Sequence, residues 1–312
     1  MKILLIAGGW STEKEISLSG ARVMEKALIA NGHAVTFFDL HDGFDDLLET
    51  AAGHDFAFIN LHGAPGEDGL VQALLDRAGC PYQGSGPAGS FLALHKAASK
   101  QIFRRAGLLT PDWEFLPRPP DGDWRPRLAY PLFVKSNTGG SSLRMAQARD
   151  RSELDAALEN IFSTGDEALL ETEITGREVT CGILGETPLP PVLIEPANAG
   201  YFDYRSKYEV GGAREICPAP LPAEIVAAVC DAALAAHRAL GLRGCSRSDF
   251  ILTEDMAGNT NLYLLEVNTL PGMTATSLMP QEAQAIGLDF GALLEKLIAL
   301  GLKGRRKKAV RI

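Results

Sequence analysis

Three oxygen-bearing side chains in the last quarter of the chain could hold a metal ion. Asp249 lies in the apolar segment SRSDFILTE, and Glu266 and Asn268 lie two residues apart in NLYLLEVN. Residues two apart on a β-strand point to the same face, so pairing of the two segments would bring the three side chains together. Such oxygen ligands suit Mg²⁺. The residues alone leave a solvated strand face as an equal alternative.

Positively charged side chains accompany this cluster and a loop of small residues. Arg247 precedes Asp249 by two positions and would share its strand face. Lys135 immediately precedes the loop SNTGGSS (136–142), where small residues such as Ser141 and Ser142 would let backbone amides approach a polyphosphate. The pattern is not a Walker A loop. A plain hairpin turn and surface ion pairs are the alternatives, but cations beside an acidic cluster favour an anionic substrate.

The first third of the chain predicts the framework for such a site. KILLIA, AVTFFDL and FAFINL indicate strands, and residues 17–31 and LVQALLDRAG indicate helices. This alternation is typical of an open parallel sheet covered by helices. Ligands of such sheets bind beyond the carboxyl ends of the strands, which places Gly8, Gly9 and the loop that contains His62 at the candidate site.

The rest of the chain predicts strands and helices around a long irregular segment. We expect one long helix from about Gly89 to Ala106, a hairpin of LFVKS and LRMAQA, and a helix over DRSELDAALENIF opened by an Asp or Ser cap. EALLETEI and EVTCGILG predict strands, and EIVAAVCDAALAAHRALGL and FGALLEKLIALG predict helices. Residues 197–221 show no period and are typical of a lid.

Composition restricts the class of protein. The chain has 312 residues, of which 46% are hydrophobic and 22% are charged, enough to bury a core in two or three domains. The net charge of -9 disfavours binding to nucleic acid and to anionic membranes. Five scattered cysteines without CxxC spacing and an amino end without a signal-peptide pattern predict a reduced, cytoplasmic protein that does not span a membrane.

Ten motifs follow one another along nearly the whole chain. They are GGWSTEKEISLSG, HGAPGEDG, PYQGSG, LTP, LFVKSNTGGSS, ETEITGREVT, YFDYRSKY, CPAPL, RSDF and LLEVNTLPGMTATSL. Together they resemble the D-alanine-D-alanine ligases of the ATP-grasp superfamily, and FDYRSKY followed by EVNTLPGMT is the most specific part of the resemblance. The implied fold is a three-domain α/β ATP-grasp fold. Its expected parts are an N-terminal Rossmann-like parallel-sheet domain (1–94), a central ATP-grasp domain (95–179) and a C-terminal ATP-grasp domain (180–312) with a lid loop at about 198–219.

The resemblance also implies an activity. The expected reaction is ATP-dependent ligation of two D-alanines to D-alanyl-D-alanine through D-alanyl phosphate, for peptidoglycan precursor synthesis. The implied cofactors are ATP and Mg²⁺, or Mn²⁺ in its place, and the implied assembly is a cytoplasmic homodimer. Two alternatives stay open: an ATP-grasp carboxylate-amine ligase with a different acceptor, and a catalytically silent nucleotide-binding paralogue.

The matched motifs carry implied binding residues for nucleotide and metal. Lysines would contact the phosphates and glutamates the adenine and ribose side. The implied cofactor-binding residues are Lys96, Lys135, Ser142, Glu171, Glu178 and Lys207. The implied metal ligands are Asp249, Glu266 and Asn268, in agreement with the reading of the residues alone.

The same motifs carry implied substrate and catalytic residues. The implied catalytic residues would hold the first ammonium, close the lid or stabilise an oxyanion, and they are Glu13, Ser141, Tyr208, Arg247 and Gly272. Glu13 would hold the ammonium of the first D-alanine, with His62 nearby. Ser277 and Leu278 would bind the carboxylate of the second D-alanine.

Five positions depart from the family pattern: His95, Ser136, Arg144, Ser248 and Thr276. Arg144 is a bulky cation close to the expected phosphate loop. Thr276 replaces a usual histidine near the second-substrate site. None of the five removes an implied catalytic group, and a different acceptor would be accommodated around Thr276.

Overall fold

The structure is a computed structural model that describes residues 1–140, 145–196, 212–254, 258, 260–274 and 276–306. In these residues the strands form three sheets. None of the described helices is both long enough and apolar enough to cross a membrane.

The first sheet is parallel, as the alternating pattern predicts. Its strand order is β2-β1-β3, and β1 is flanked on both sides. Ile3 to Ala7 of the central strand are fully buried because helices cover both faces, as an interior parallel strand requires. The strands are β1 (Lys2–Ala7), β2 (Ala34–Asp39) and β3 (Phe56–Ile59), and the helices are α1 (Lys14–Ala30), α2 (Phe44–Ala52) and α3 (Leu70–Ala78).

The predicted single helix from Gly89 to Ala106 is wrong, because the chain forms two helices here. They are α4 (Pro87–Leu94) and α5 (Lys96–Arg105). His95 between them has an extended backbone, and its ring nitrogen accepts a hydrogen bond from the Ala98 amide at 3.2 Å. His95 therefore ends α4 and begins α5, and its extended backbone interrupts the helical path between them.

The second sheet is antiparallel with the order β4-β7-β5-β6. Its elements are β4 (Trp113–Leu116), β5 (Leu132–Ser136), β6 (Ala146–Ala148), α6 (Arg151–Phe162) and β7 (Ala168–Thr172). The predicted hairpin is confirmed, since β5 pairs with β6. The predicted cap is Asp150, whose side chain accepts from the Glu153 amide. One face of α6 packs on the sheet and closes a small apolar core.

The third sheet carries the acidic segments and has the order β11-β10-β8-β12-β13, with β9 on β8. Its elements are β8 (Arg177–Leu184), β9 (Thr187–Pro188), β10 (Val192–Pro196), β11 (Ala213–Ile216), α7 (Ala223–Ala239), β12 (Cys245–Glu254), β13 (Thr260–Asn268), α8 (Leu278–Ala285) and α9 (Phe290–Arg306). Part of the predicted irregular lid is therefore a strand, because β11 pairs with β10. Apolar residues of α7 pack on this sheet.

Candidate active site

The two acidic strands pair as the sequence predicts. In the antiparallel β12-β13 ladder, Asp249 lies opposite Glu266 and Arg247 lies opposite Asn268. A register shift follows Asp249, so the regular pairing beyond it is displaced by one residue. The four polar side chains are therefore gathered at one end of the ladder.

Arg247 and Asp249 form a bidentate ion pair at this end of the sheet. The guanidinium donates to both carboxylate oxygens at 2.9 Å, and the Thr180 hydroxyl donates to the first of them at 2.6 Å. Burial disfavours the charged guanidinium, but the Asp249 carboxylate outweighs burial and raises the pKa of Arg247 above its usual range. A permanently charged and oriented guanidinium suits the stabilisation of negative charge that develops during a reaction.

The implied metal ligands have the right chemistry for a hard cation, but each already has a protein partner. Asp249 is paired with Arg247, and Glu266 Oε2 lies 3.3 Å from Lys96 Nζ. The Asn268 side-chain oxygen accepts from the Leu270 amide at 2.8 Å. The described part of the chain contains no group of three His, Cys, Asp or Glu residues arranged to hold a metal. The oxygen donors fit Mg²⁺, which needs few protein ligands when it also binds phosphate.

A cavity of about 470 Å³ opens in front of this end of the sheet. Its walls come from the start of α1 and the loop after β3, from α4 and α5, and from the third sheet with the loop before α8. The cavity brings together most of the implied site residues, namely Glu13, His62, Lys96, Arg247, Glu266, Asn268, Gly272, Ser277 and Leu278. Residues from three regions of the chain thus meet in one space large enough for small substrates.

The amino-terminal wall carries Glu13 and His62. Glu13 immediately precedes α1 and is buried. Burial lowers the pKa of His62, while the charge of Glu13 opposes this shift. Glu13 Oε2 lies 3.5 Å from the point where a Cβ on Gly140 would stand, so this carboxylate lies next to the Gly139-Gly140 turn.

Lys96 connects this turn with the acidic strands. Its ammonium donates to the Gly139 carbonyl oxygen at 2.6 Å and also pairs with Glu266. The turn is anchored to the start of α5, because the Asn137 carbonyl and side-chain oxygens accept from the Lys96 and Ala97 amides. The position of Lys96 therefore depends on the helix break at His95.

Lys135 and Glu171 lie deeper, on neighbouring strands of the second sheet. Lys135 Nζ is 2.7 Å from Glu171 Oε2, and Lys100 Nζ is 2.7 Å from Glu171 Oε1. Neither Lys135 nor Glu171 lines the cavity. The implied contact of Glu178 with the nucleotide stays a prediction, although its charge lies near enough to raise the pKa of Lys135.

Another wall of the cavity is formed by the loop before α8. Ser277 precedes this helix, and its hydroxyl accepts from the Thr274 amide at 3.0 Å and pairs with the Thr274 hydroxyl at 2.7 Å. A Cβ on Gly272 would stand 2.9 Å from Ser277 Oγ, so a larger residue here would displace the Ser277 hydroxyl. Thr276 is exposed at the cavity, with its hydroxyl 3.4 Å from that of Thr274.

Four implied site residues lie outside the described residues: Ser141, Ser142, Lys207 and Tyr208. The same holds for Arg144 among the departures. Of the other departures, His95 caps α5, while Ser136 and Ser248 are buried.

Sequence reasoning missed three charged residues at or behind the cavity. Glu67 lines the cavity, accepts from the Gly63 amide at 3.0 Å, and has its pKa raised by burial to about 7. Lys100 lies behind Lys135, and Glu282 is buried behind β8. Only Lys100 had a usable signal, since it follows Lys96 by four residues and shares its helix face.

Comparison with known proteins agrees with this geometry. The family model described as the D-ala D-ala ligase C-terminus matches residues 102–299. The chain belongs to the D-alanine-D-alanine ligase family. The D-alanine-D-alanine ligase of Desulfovibrio desulfuricans is 67% identical over 308 residues, which cover 99% of both chains.

Solved structures of the family share the fold. The Bacillus anthracis D-alanine-D-alanine ligase matches with a TM-score of 0.88 and 38% identity over 99% of this chain and 100% of that chain. A structure of the Bacillus anthracis ligase complexed with ATP matches with a TM-score of 0.87 and 35% identity over the same shares. The predicted α/β ATP-grasp fold with a parallel amino-terminal sheet is confirmed.

Proposed function

We propose that this chain joins two D-alanines to D-alanyl-D-alanine through D-alanyl phosphate, with ATP as the phosphoryl donor, and thereby supplies peptidoglycan synthesis. The observation that carries the proposal is the cavity in which Glu13, Arg247 and Ser277 face one space. An ammonium-binding carboxylate, an oxyanion-stabilising guanidinium and a hydroxyl beside a helix start are the groups that such a ligation requires. The family membership supports the same reaction.

The first half-reaction converts a poor electrophile into a reactive one. Glu13 holds the ammonium of the first D-alanine. The carboxylate of that D-alanine attacks the terminal phosphorus of ATP, the bond to the β-phosphate oxygen breaks, and D-alanyl phosphate and ADP result. Lys96, Lys135 and, from the lid, Lys207 bind the phosphates. Asp249, Glu266 and Asn268 would hold Mg²⁺, or Mn²⁺, which would neutralise phosphate charge. The surroundings of these carboxylates favour positive charge, because Glu266 pairs with the Lys96 ammonium and Asp249 with the Arg247 guanidinium.

The second half-reaction places an amine against the acyl phosphate. Ser277 and Leu278 bind the carboxylate of the second D-alanine, and the deprotonated amine of this D-alanine attacks the carbonyl carbon of D-alanyl phosphate. Arg247 and the Gly272 amide stabilise the resulting oxyanion, and the bidentate pair with Asp249 fixes the guanidinium before the charge develops. The tetrahedral oxyanion then collapses, the bond from carbon to the phosphate oxygen breaks, and phosphate and a proton are released with the dipeptide. Ser141 and Tyr208 would link with Glu13 to close a lid that excludes water from the acyl phosphate, and Ser142 would bind the nucleotide.

The remaining parts of the proposal concern assembly and location. Glu171 and Glu178 belong to the adenine and ribose side of the nucleotide site. We place the boundaries of the three domains at 1–94, 95–179 and 180–312. The partners are small molecules, ATP and D-alanine, with no nucleic acid or membrane, and the chain acts as a homodimer in the cytoplasm. Light scattering of the purified protein would contradict the assembly if it gave the mass of a monomer at working concentrations.

The direct test of the activity is phosphate release from ATP and Mg²⁺, with and without D-alanine, alongside mass detection of the dipeptide. We expect D-alanine-dependent phosphate and an equal amount of D-alanyl-D-alanine. Arg247→Ala should abolish ligation while ATP binding survives. The matched control is Arg238→Ala, which removes an exposed guanidinium paired with Glu186. ATP binding without D-alanine-dependent turnover in the unmodified protein would overturn the proposal.

A further inference from the structure

Three charged side chains form a buried row between α5 and the second sheet. Lys100 on α5 is fully buried, and its ammonium lies 2.7 Å from Glu171 Oε1. The same ammonium donates to the Thr110 hydroxyl at 2.7 Å. The other oxygen of Glu171 lies 2.7 Å from Lys135 Nζ. The row therefore runs Lys100, Glu171, Lys135 and carries two positive charges and one negative charge.

Each oxygen of Glu171, which is only 2% exposed, therefore has a lysine ammonium 2.7 Å away. Lys135 is the most accessible member of the row, with a side chain that is 12% exposed against 0% for Lys100. A ligand phosphate could therefore reach Lys135 but not Lys100. Because a buried carboxylate with one lysine would form a neutral pair, Lys135 alone with Glu171 would offer little net charge to a phosphate.

We propose that Lys100 is a positioning residue for nucleotide binding: it neutralises Glu171, so that the positive charge of Lys135 is available to an ATP phosphate. In this role the carboxylate of Glu171 affects phosphate binding through Lys135, in addition to its proposed place on the adenine and ribose side of the nucleotide site. This inference rests on the proposed function, because it assumes that Lys135 binds phosphate.

The protonation of the row agrees with this role. Burial lowers the pKa of Lys100 to about 8, and the charge of Glu171 limits the shift. Burial also disfavours the charged form of Lys135, but Glu171 outweighs burial and raises the pKa of Lys135 above its usual value. The Lys135 ammonium, the more accessible of the two, thus stays charged at neutral pH.

The test is direct ATP binding by calorimetry with Mg²⁺, which needs no ligation and so separates this inference from the activity. Lys100→Met keeps the apolar stem and removes the charge, and we expect ATP affinity to fall about tenfold or more, as for loss of a charged contact. In Glu171→Gln no buried carboxylate offsets the charge of Lys135, so adding Lys100→Met to Glu171→Gln should change ATP affinity by less than about threefold relative to Glu171→Gln alone. The matched control is Lys26→Met, which removes an exposed lysine of α1.

A structural role for Lys100 predicts different results. It would lower the melting temperature and leave ATP affinity unchanged, or lower ATP affinity by the same factor with and without Glu171→Gln, and either outcome overturns the inference. If Lys100→Met does not fold, Lys100→Gln is measured in the same two backgrounds, and the same results are expected of it.

Discussion

Replacement of Glu282 by glutamine should make the protein more stable at pH 8 and leave it almost unchanged at pH 5. Glu282 lies in α8 and is fully buried. Its Oε1 accepts from the Gly182 amide at 2.7 Å, while its Oε2 is buried with no hydrogen-bond partner among the described residues. Burial raises the pKa of this carboxyl to about 8. The folded protein therefore keeps the proton that the unfolded chain loses.

The size of the effect follows from the two pKa values. The carboxyl titrates near 4.5 in the unfolded chain and near 8 in the folded protein. Its contribution to stability is fully present below pH 4.5 and is lost as the pH rises toward 8, because only the unfolded chain then releases a proton. Each pH unit in this window corresponds to about 1.4 kcal/mol, so the loss between pH 5 and pH 8 is roughly 4 kcal/mol.

The assay is urea unfolding at pH 5, 6.5 and 8 for the unmodified protein, Glu282→Gln and Glu159→Gln. Glu159 is an exposed residue of α6 and serves as the matched control. The free energy of unfolding of Glu282→Gln, relative to the unmodified protein, should rise by roughly 4 kcal/mol from pH 5 to pH 8. Parallel pH profiles for the unmodified protein and Glu282→Gln would refute the reasoning.

Three further outcomes are expected. Arg247→Lys keeps the charge but not the bidentate geometry, so kcat should fall by about 10²–10³ with ATP affinity retained, and an unchanged kcat would remove Arg247 from catalysis. Burial lowers the pKa of His237 to about 4, so the protein loses stability as the pH falls from 6.5 toward 4, where the unfolded chain takes up a proton first. Over that range the free energy of unfolding of His237→Gln, measured in urea, should fall by roughly 3 kcal/mol less than that of the unmodified protein. Equal decreases for the two proteins would contradict this. Gly301→Ala would put a Cβ 2.5 Å from the Tyr82 carbonyl oxygen and should destabilise the folded protein by about 1–3 kcal/mol. The control is Gly122→Ala, whose Cβ would have no atom within 4 Å and which should leave the stability unchanged. Similar melting temperatures for the two variants would count against the clash.

Much of the fold could be predicted from local patterns. The apolar segment KILLIA predicted a buried parallel strand, and Ile3 to Ala7 are buried in one. The two-residue spacing of Glu266 and Asn268 predicted a shared strand face opposite Asp249, which the β12-β13 register confirms. These predictions succeed because side-chain direction in a strand depends only on position along the chain.

The prediction from local patterns was wrong between Gly89 and Ala106. The apolar spacing from Gly89 to Ala106 favours one helix, yet His95 ends α4 and caps α5. The break is held by contacts from elsewhere, since Asn137 accepts from the first amides of α5. A cap supplied by a residue some forty positions away leaves no signal in the helix itself.

By itself, the sequence determined the element types, the parallel amino-terminal sheet and the family. Only the tertiary structure decided which charges meet. Glu171 pairs with Lys100 and Lys135, and Glu282 accepts from Gly182, a residue one hundred positions away. Local periodicity fixes the face on which a side chain lies, but the partner of a buried charge depends on how separate sheets and helices pack together. The free energy of a buried charge depends on that partner and on the exclusion of water.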